Sequence, residues 1–300
     1  MATMIQLGLT AVEQEVDDLT GTRCVSRTRR EGFDIAMSWG NTVVHVSLDG
    51  KTDVLQDPAA RHQNVQYLAE QFGYLFVFRD YMPPRVYSQD GGIVKVLKHA
   101  FESFTCRGVY PTCRTVFFSQ MNTNKIIAVD KDLTETVVPG SEGTSDFVVL
   151  KDERLFWITK SFEAHCGGRQ KKLKDKLKTP HITDGNCTVA VLSSGNALVS
   201  FDAQELAIVS PELEIIDSLV NNFTKNGSYH MRIARTVRLG LDLAFLHVST
   251  DIIGVAVRRN KVHLLKPFKI GHNIYSMSKL LFHWAICGES KFTLLKINFI

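Results

Sequence analysis

The sequence reads Val-Asp-Lys-Asp-Leu at residues 129–133, a valine that ends an apolar run and is followed by an acidic turn. Segments of the same form begin at Val46, Val86 and Val209, so the intervals between successive valines are 40, 43 and 80 residues. The last interval is close to twice the others. Self-similarity with a period near 40 residues is typical of proteins built from repeated supersecondary units. The pattern therefore predicts a repeat architecture.

Turn signals divide most of the chain into pairs of short β-type runs. Gly40-Asn41, Phe72-Gly73 and Gly195-Asn196 each separate two such runs. Glycine favours a tight hairpin here, because two-residue turns need a positive φ. Seven hairpin turns lie between Gly40 and Gly288, about 41 residues per unit. That length accommodates four strands of five or six residues with their turns.

A unit of four strands and about 40 residues has the size of one propeller blade. We therefore expect an all-β chain that forms a single β-propeller domain over residues 1–300. Seven blades of four antiparallel strands are expected, with six blades as the alternative. The last unit reaches Ile300 after two or three strands. We expect the N-terminal run Met4–Thr10 to supply the missing outer strand and close the ring.

Two segments resemble blades of known propeller families. Residues 115–130 combine an aromatic strand, an asparagine-bearing turn and an Ile-x-x-Val-Asp strand, and they resemble NHL and YWTD blades. Ser193–Ile208 resembles a WD40-like blade. The resemblance is one of repeat form, covers nearly all of the chain and implies the β-propeller fold. The Trp-Asp dipeptide of WD40 repeats is absent, so no family-specific residue role is transferred.

Composition narrows the class of protein. The hydrophobic fraction is 44% and the formal net charge is +4, which is too small to indicate nucleic-acid binding by itself. No apolar run approaches the length of a membrane-spanning helix, and the first residues lack the pattern of a secretory signal. The six cysteines are scattered along the chain, a pattern that indicates free thiols in a reducing compartment. We expect an intracellular protein, in the cytoplasm rather than the nucleus.

The fourth unit departs from the repeat. Its third strand is expected to be replaced by a basic insertion or long loop over residues 160–186 within blade four. Residues 169–178, called the basic segment below, carry six positive side chains and one negative one. Such a charge density suits acidic protein tails or phosphates, and the alternative is a solvated, flexible loop. The predicted partner-binding residues are Arg169, Lys171, Lys172, Leu173, Lys174, Lys176, Leu177 and Lys178.

Leu173 and Leu177 are spaced i, i+4 within the basic segment. This spacing allows a short amphipathic helix whose two leucines anchor it on a partner. Two further basic patches, Arg23–Arg30 and Arg258–Lys261, are interpreted as solvated turns or as protection of sheet edges. If all three patches lay on one face, an acidic partner would be favoured.

The chain has no convincing catalytic or metal motif, and neither a catalytic residue nor a cofactor is predicted. Cys106, Cys113, His165 and Cys166 could in principle bind zinc, but their spacing is not that of a standard site. Asp146, Asn122 and Asn196 could be imagined around a calcium ion in a propeller channel. For both sets, structural side chains are the favoured interpretation.

These observations favour a non-enzymatic scaffold, a rigid propeller platform in a larger intracellular assembly. Its basic segment would dock on other protein subunits with acidic surfaces. One alternative is a propeller hydrolase or lactonase with a metal at the central channel. Another is an RNA-associated propeller that binds phosphates through the lysines. No small-molecule substrate is evident from the sequence.

Overall fold

The fold is known from a computed structural model of the 300-residue chain. The residues that it describes are 7–13, 22–27, 32–37, 42–47, 52–56, 65–79, 81–88, 91–98, 106–120, 123–179, 182, 185, 187–202, 204–220, 230–236, 241–248, 251–264, 268–269, 274–279, 283–288 and 292–299.

The chain divides into two compact units, of which the first combines residues 1–97 with residues 272–300. Its described strands form three four-stranded antiparallel sheets. Sheet A contains β2 (Thr22–Arg27), β3 (Gly32–Met37), β4 (Thr42–Ser47) and β5 (Thr52–Gln56). Sheet B contains β6 (Val65–Gln71), β7 (Tyr74–Arg79), β8 (Arg85–Tyr87) and β9 (Ile93–Val96). Sheet G contains β27 (Ile274–Lys279), β28 (His283–Gly288), β29 (Phe292–Phe299) and β1 (Leu7–Glu13).

The N-terminal strand is the fourth strand of sheet G. β1 pairs antiparallel with β29 from Leu7 opposite Phe299 to Glu13 opposite Thr293. The two ends of the chain therefore share one sheet, and β1 lies three residues further along than the run that the sequence suggested.

The second unit covers residues 98–271. Sheet C contains β10 (Cys106–Pro111), β11 (Thr115–Gln120), β12 (Lys125–Asp130) and β13 (Glu135–Val137). Sheet D contains β14 (Thr144–Val149), β15 (Leu155–Thr159), β16 (Glu163–Cys166) and β17 (Arg169–Lys172). Sheet E contains β18 (Cys187–Val191), β19 (Ala197–Phe201), β20 (Glu205–Val209) and β21 (Ile215–Val220). Sheet F contains β22 (His230–Thr236), β23 (Leu241–Val248), β24 (Asp251–Arg258) and β25 (Lys261–Leu264), with the short β26 (Phe268–Lys269) on β24.

The expected all-β character and the sheets of four antiparallel strands are confirmed. Each sheet is a meander in which strands consecutive in the chain are neighbours, with two exceptions: β1 joins sheet G from the other end of the sequence, and β26 pairs with β24 in sheet F. Within the second unit the first strands of successive sheets contact one another, β10 with β14, β14 with β18, and β18 with β22. The strands that lie furthest from these contacts are β13, β17, β21 and β25.

A five-residue turn explains the repeat that is visible in the sequence. After β12 the Asp130 carboxylate accepts hydrogen bonds from the backbone N–H groups of Asp132 (2.9 Å) and Thr134 (2.8 Å). After β20 the Ser210 hydroxyl oxygen accepts from the N–H groups of Glu212 and Glu214, both at 3.2 Å. Side chains of this type stabilise turns because they satisfy backbone donors locally.

The fourth residue of each of these turns has a positive φ and is buried. Leu133 has φ 60° and Leu213 has φ 66°, and both side chains lie in the interior. A leucine in this region of φ costs free energy, which burial of about 1.5–3 kcal/mol per large apolar side chain offsets. The acidic turn and its leucine are therefore one structural device that sheets C and E share.

The expectation of a loop in place of the third strand of the fourth unit is wrong. Residues 163–172 form β16 and β17, which pair from Glu163 opposite Lys172 to Cys166 opposite Arg169. The turn between them is Gly167-Gly168, with φ values of 56° and 80°. Two glycines suggest flexibility in a sequence, but consecutive positive φ values also make a tight hairpin. This turn replaces the five-residue turn, so one copy of the repeat is missing and its interval is doubled.

A large cluster of apolar side chains from sheets D and E forms the core next to the basic segment. Phe156, Phe162 and Phe201 are fully buried, and the rings of Phe162 and Phe201 meet edge to face with centroids 5.7 Å apart. Offset and edge-on ring contacts of this kind add to the stability from burial. The cluster fixes the position of the chain that leaves β17.

Candidate functional site

The basic segment begins in β17, the outermost described strand of sheet D, and continues into a short 3-10 helix, Lys174–Lys176. Leu177 is already extended, with ψ 146°. The segment is therefore ordered as strand, single turn and extended chain, and the amphipathic helix that the leucine spacing suggested is not formed in this structure. Lysines on an outer strand also discourage unwanted pairing of sheet edges.

Leu173 does not lie on the surface. Its side chain is fully buried in the core between sheets D and E, and Leu177 packs against the same cluster as a partly buried residue. The prediction that Leu173 is an apolar anchor for a partner is therefore wrong for this structure. The physical reason is that Leu173 follows directly on β17 and reaches the aromatic cluster around Phe162, where burial is more favourable than exposure.

Two lysines of the basic segment are paired with sheet E. The ammonium groups of Lys171 and Lys176 each donate to the carboxylate of Glu214, with the Lys176 contact at 3.0 Å. The hydrogen bonds from the two lysines lower the pKa of Glu214, and its carboxylate in turn raises the pKa of Lys176. Glu214 thus holds the basic segment against the start of β21.

A buried carboxylate fixes the end of the basic segment. Glu205 is fully buried, and its two carboxylate oxygens accept the backbone N–H groups of Lys178 (3.1 Å) and Thr179 (2.9 Å). The Lys178 ammonium group donates to the carbonyl oxygen of Ser218 at 2.5 Å. A buried carboxylate is stable only when such donors compensate for its lost hydration. The interaction holds residues 178 and 179 on sheet E.

The remaining cations of the basic segment face solvent to different degrees. Arg169 and Lys172 are exposed, and within the described part of the chain neither side chain forms an ion pair. Lys174 is partly buried, with its ammonium group 5.7 Å from the centroid of the Phe162 ring. Among the predicted residues, the lysines at 171 and 176 are therefore ion-paired and the leucines are buried or partly buried, whereas Arg169 and Lys172 are exposed with no ion pair among the described residues.

Of the two further basic patches, Arg258–Lys261 lies in sheet F, and the described part of Arg23–Arg30 lies in sheet A. Arg258 and Lys261 flank the tight turn between β24 and β25, so this patch lies at a hairpin tip as expected. Of the patch Arg23–Arg30, Arg23 and Arg27 lie in β2, and Arg29 and Arg30 lie outside the described residues.

The residues considered for zinc have separate roles. The Cys106 thiol donates to the carbonyl of Gly108 (3.3 Å), and the Cys113 thiol donates to Glu153 (2.7 Å). His165 stacks on Trp157 with ring centroids 4.9 Å apart, and burial lowers the pKa of this histidine. Across the described residues, no group of three or more His, Cys, Asp or Glu side chains is arranged to hold a metal ion.

The residues considered for calcium serve as links between sheets. The carboxylate of Asp146 accepts the backbone N–H of Val189 at 2.8 Å and so links β14 to β18. The side-chain amide of Asn196 donates to the side-chain oxygen of Asn260 at 3.4 Å. Asn122 lies outside the described residues.

Sequence reasoning missed the acidic residues that join neighbouring sheets. Asp242 accepts both the backbone N–H (2.8 Å) and the hydroxyl (2.7 Å) of Ser193. Asp217 accepts the backbone N–H of Val262 at 3.0 Å and pairs with Lys261 at 3.1 Å. No local pattern marks these residues, because their partners lie more than 40 positions away in the chain.

The comparisons with solved structures show the fold. The chain is similar to virginiamycin B lyase from Staphylococcus aureus, with a TM-score of 0.72, 13% identity and coverage of 98% of this chain and 100% of that one. It is also similar to the β-propeller domain of Cps50 (Swd1) from Myceliophteria thermophila, with a TM-score of 0.69, 13% identity and coverage of 98% and 100%. A third similar structure is the WD40 domain of Toxoplasma gondii coronin, with a TM-score of 0.70, 8% identity and coverage of 99% and 88%.

The sequence comparisons add no family. No family model matches the chain, and no curated protein matches it. The structural similarity shows the β-propeller fold that the repeat form suggested, and at these identities it shows the fold alone. Among the described residues, no helix is long and apolar enough to cross a membrane.

Proposed function

We propose that this protein is a non-enzymatic interaction platform within a larger intracellular assembly, and that the basic segment docks on an acidic surface of a partner protein. The observation that carries the proposal is the pair of exposed cations, Arg169 and Lys172, at the outermost described strand of sheet D. Both are positioned by strand pairing, and both remain available to carboxylates of a partner.

The rigidity of the segment supports this proposal. Glu214 holds Lys171 and Lys176, and Glu205 holds the backbone of residues 178 and 179. A preorganised cationic surface loses less conformational entropy on binding than a flexible loop. Complementary charge accelerates association and selects partners more than it increases affinity. The exposed cations are therefore suited to steering and positioning an acidic partner.

At the level of the fold we propose seven blades in a ring that the N-terminal strand closes. Two observations support this arrangement. The described strands form seven sheets, six of four strands and one of four strands with the short β26 added, and β1 completes sheet G by pairing with β29. A closed ring has no exposed sheet edges between its first and last blades, and it would hold loops of many blades on rigid faces.

The test of docking is capture of partners from native lysate with and without nuclease. The double variant Arg169→Gln/Lys172→Gln is compared with Lys131→Gln/Lys160→Gln, which removes two exposed charges elsewhere. We expect a protein partner that survives nuclease and is depleted only by the first variant, because an exposed charge acts locally in salt.

Equal capture by both variants would contradict docking through the basic segment. Loss of every partner after nuclease treatment would favour the RNA-associated alternative, in which binding falls steeply with salt. Turnover in an esterase, lactonase or lyase screen would contradict the non-enzymatic role. The screen includes lyase substrates because solved structures similar to the chain include streptogramin B lyase.

A further inference from the structure

A second basic feature lies at the tip of the β24–β25 hairpin in sheet F. Arg258 stands opposite Lys261, and the two residues between them are Arg259 and Asn260. Their φ values are 49° and 57°. We call Arg258, Arg259 and Asn260 the arginine turn. It is a two-residue turn in which both central residues adopt the left-handed conformation.

Arginine is an unusual residue at this position. Left-handed φ values favour glycine, asparagine and aspartate, because other side chains crowd the backbone there. Asn260 fits the preference, whereas Arg259 does not. Strain of this kind persists when the surrounding structure imposes it, and it is concentrated at functional sites. The chain therefore keeps an arginine where a smaller residue would fit better.

Contacts with sheet E hold the arginine turn from two sides. Asn260 accepts a hydrogen bond from the side-chain amide of Asn196 at 3.4 Å. Immediately after the turn, Lys261 pairs with Asp217 at 3.1 Å, and the backbone N–H of Val262 donates to the same carboxylate at 3.0 Å. The tip is thus fixed before any partner arrives.

The two arginines differ from the paired lysines of the second unit. Lys171, Lys176 and Lys261 each pair with a carboxylate of sheet E. Arg258 and Arg259 are exposed, and no carboxylate among the described residues pairs with either. Two adjacent guanidinium groups can bind carboxylates through pairs of parallel N–H···O bonds. They are available for an external anion.

We infer that the arginine turn is a second docking point, which binds the carboxylate side chains of an acidic protein segment. The inference rests on the proposed function in its choice of ligand class, but it concerns a different hairpin and a different sheet. The preorganised turn fixes the position at which the two arginines are presented, and their guanidinium groups supply the positive charge. A partner that also contacts the basic segment would gain from linked binding at two points.

The probe for the test is a fluorescein-labelled peptide of alternating glutamate and glycine, whose binding is followed by fluorescence anisotropy. Arg258→Gln/Arg259→Gln is compared with Arg169→Gln/Lys172→Gln and with the control Lys131→Gln/Lys160→Gln. We expect the first pair to lower the affinity about fivefold, as two exposed ion pairs allow, and the control pair to leave it nearly unchanged.

The outcomes separate the two proposals. A loss of affinity for the peptide in the arginine-turn variant alone supports this inference and contradicts docking through the basic segment. A loss with the basic-segment variant alone overturns this inference and leaves the proposed function intact. Losses with both variants support both. Binding of a single-stranded RNA oligomer in place of the peptide, with the same dependence on Arg258 and Arg259, would overturn the choice of a protein ligand.

A second variant distinguishes a functional arginine from a structural one. Arg259→Gly relieves the left-handed strain and removes one guanidinium group. We expect its melting temperature to rise by about 2 °C while its affinity for the peptide falls. An unchanged affinity for the peptide, whatever the change in melting temperature, would contradict the inference, because Arg259 would then serve the turn and not a ligand.

Discussion

Glu205 shows how a single side chain organises the candidate site. The residue lies at the first position of β20, is fully buried and accepts two backbone N–H groups from the end of the basic segment. The desolvation of a carboxylate is unfavourable without such donors. The contact therefore stabilises sheet E and positions the chain that leaves sheet D.

Replacing Glu205 by glutamine tests this role. Glu205→Gln keeps the shape but turns one acceptor into a donor that faces a backbone N–H. We expect the free energy of unfolding to fall by about 1–3 kcal/mol, measured by urea denaturation. Glu212→Gln is the matched control, because Glu212 is exposed. Equal stability of the two variants would show that the buried contact contributes nothing net.

At the scale of an element, the ion pairs of Glu214 hold the basic segment to sheet E. The lysines lower the pKa of this carboxyl from its usual 4.5. A group with a lowered folded-state pKa stabilises the fold fully above its unfolded value, and this contribution is lost as the pH falls through the folded value. The attachment is therefore expected to weaken on acidification below pH 4.5.

The pH dependence can be measured with one variant. Wild-type protein and Glu214→Gln are compared by their urea midpoints at neutral pH and at a pH below the folded-state pKa of Glu214. We expect the wild type to be the more stable at neutral pH and the difference to disappear in acid. Because the groups are exposed, the difference should also shrink in high salt. A difference that persists in acid would exclude the ion pairs as its cause.

At the scale of the whole molecule, the N-terminal strand completes a sheet made by the C-terminal strands. β1 covers the edge of β29 over seven residue pairs. Without it, β29 would present an unpaired edge, and such edges promote aggregation. Deleting residues 1–13 is expected to lower the melting temperature and to cause association visible by size-exclusion chromatography.

A shorter deletion is the control for the N-terminal strand. Removing residues 1–6 leaves β1 intact and should change neither property. If deletion of residues 1–13 had as little effect as deletion of residues 1–6, pairing of β1 with β29 would not contribute to stability.

The limits of sequence reasoning are clearest in the turns. Asp130 and Ser210 make their turns recognisable in the sequence, because their side chains accept hydrogen bonds from backbone N–H groups two and four residues ahead. Thr159 makes a turn of the same form between β15 and β16, where its hydroxyl oxygen accepts the N–H of Glu163 and Phe162 has φ 62°. The sequence pattern does not reveal this turn, because threonine and phenylalanine replace the acidic or serine residue and the leucine, and because it follows the second strand of its sheet and not the third.

The sequence by itself determined the all-β class, the size of the repeating unit and the positions of most hairpins. These features depend on positive φ values and on hydrogen bonds within a few residues, and both leave a local pattern. Only the tertiary structure decided the conformation and the contacts of the basic segment. Lys171 and Lys176 meet Glu214 across 43 and 38 positions of the chain, and Leu173 is buried by residues of a neighbouring sheet. Such contacts depend on how sheets pack, so the same charged run could have been a free loop or a held strand.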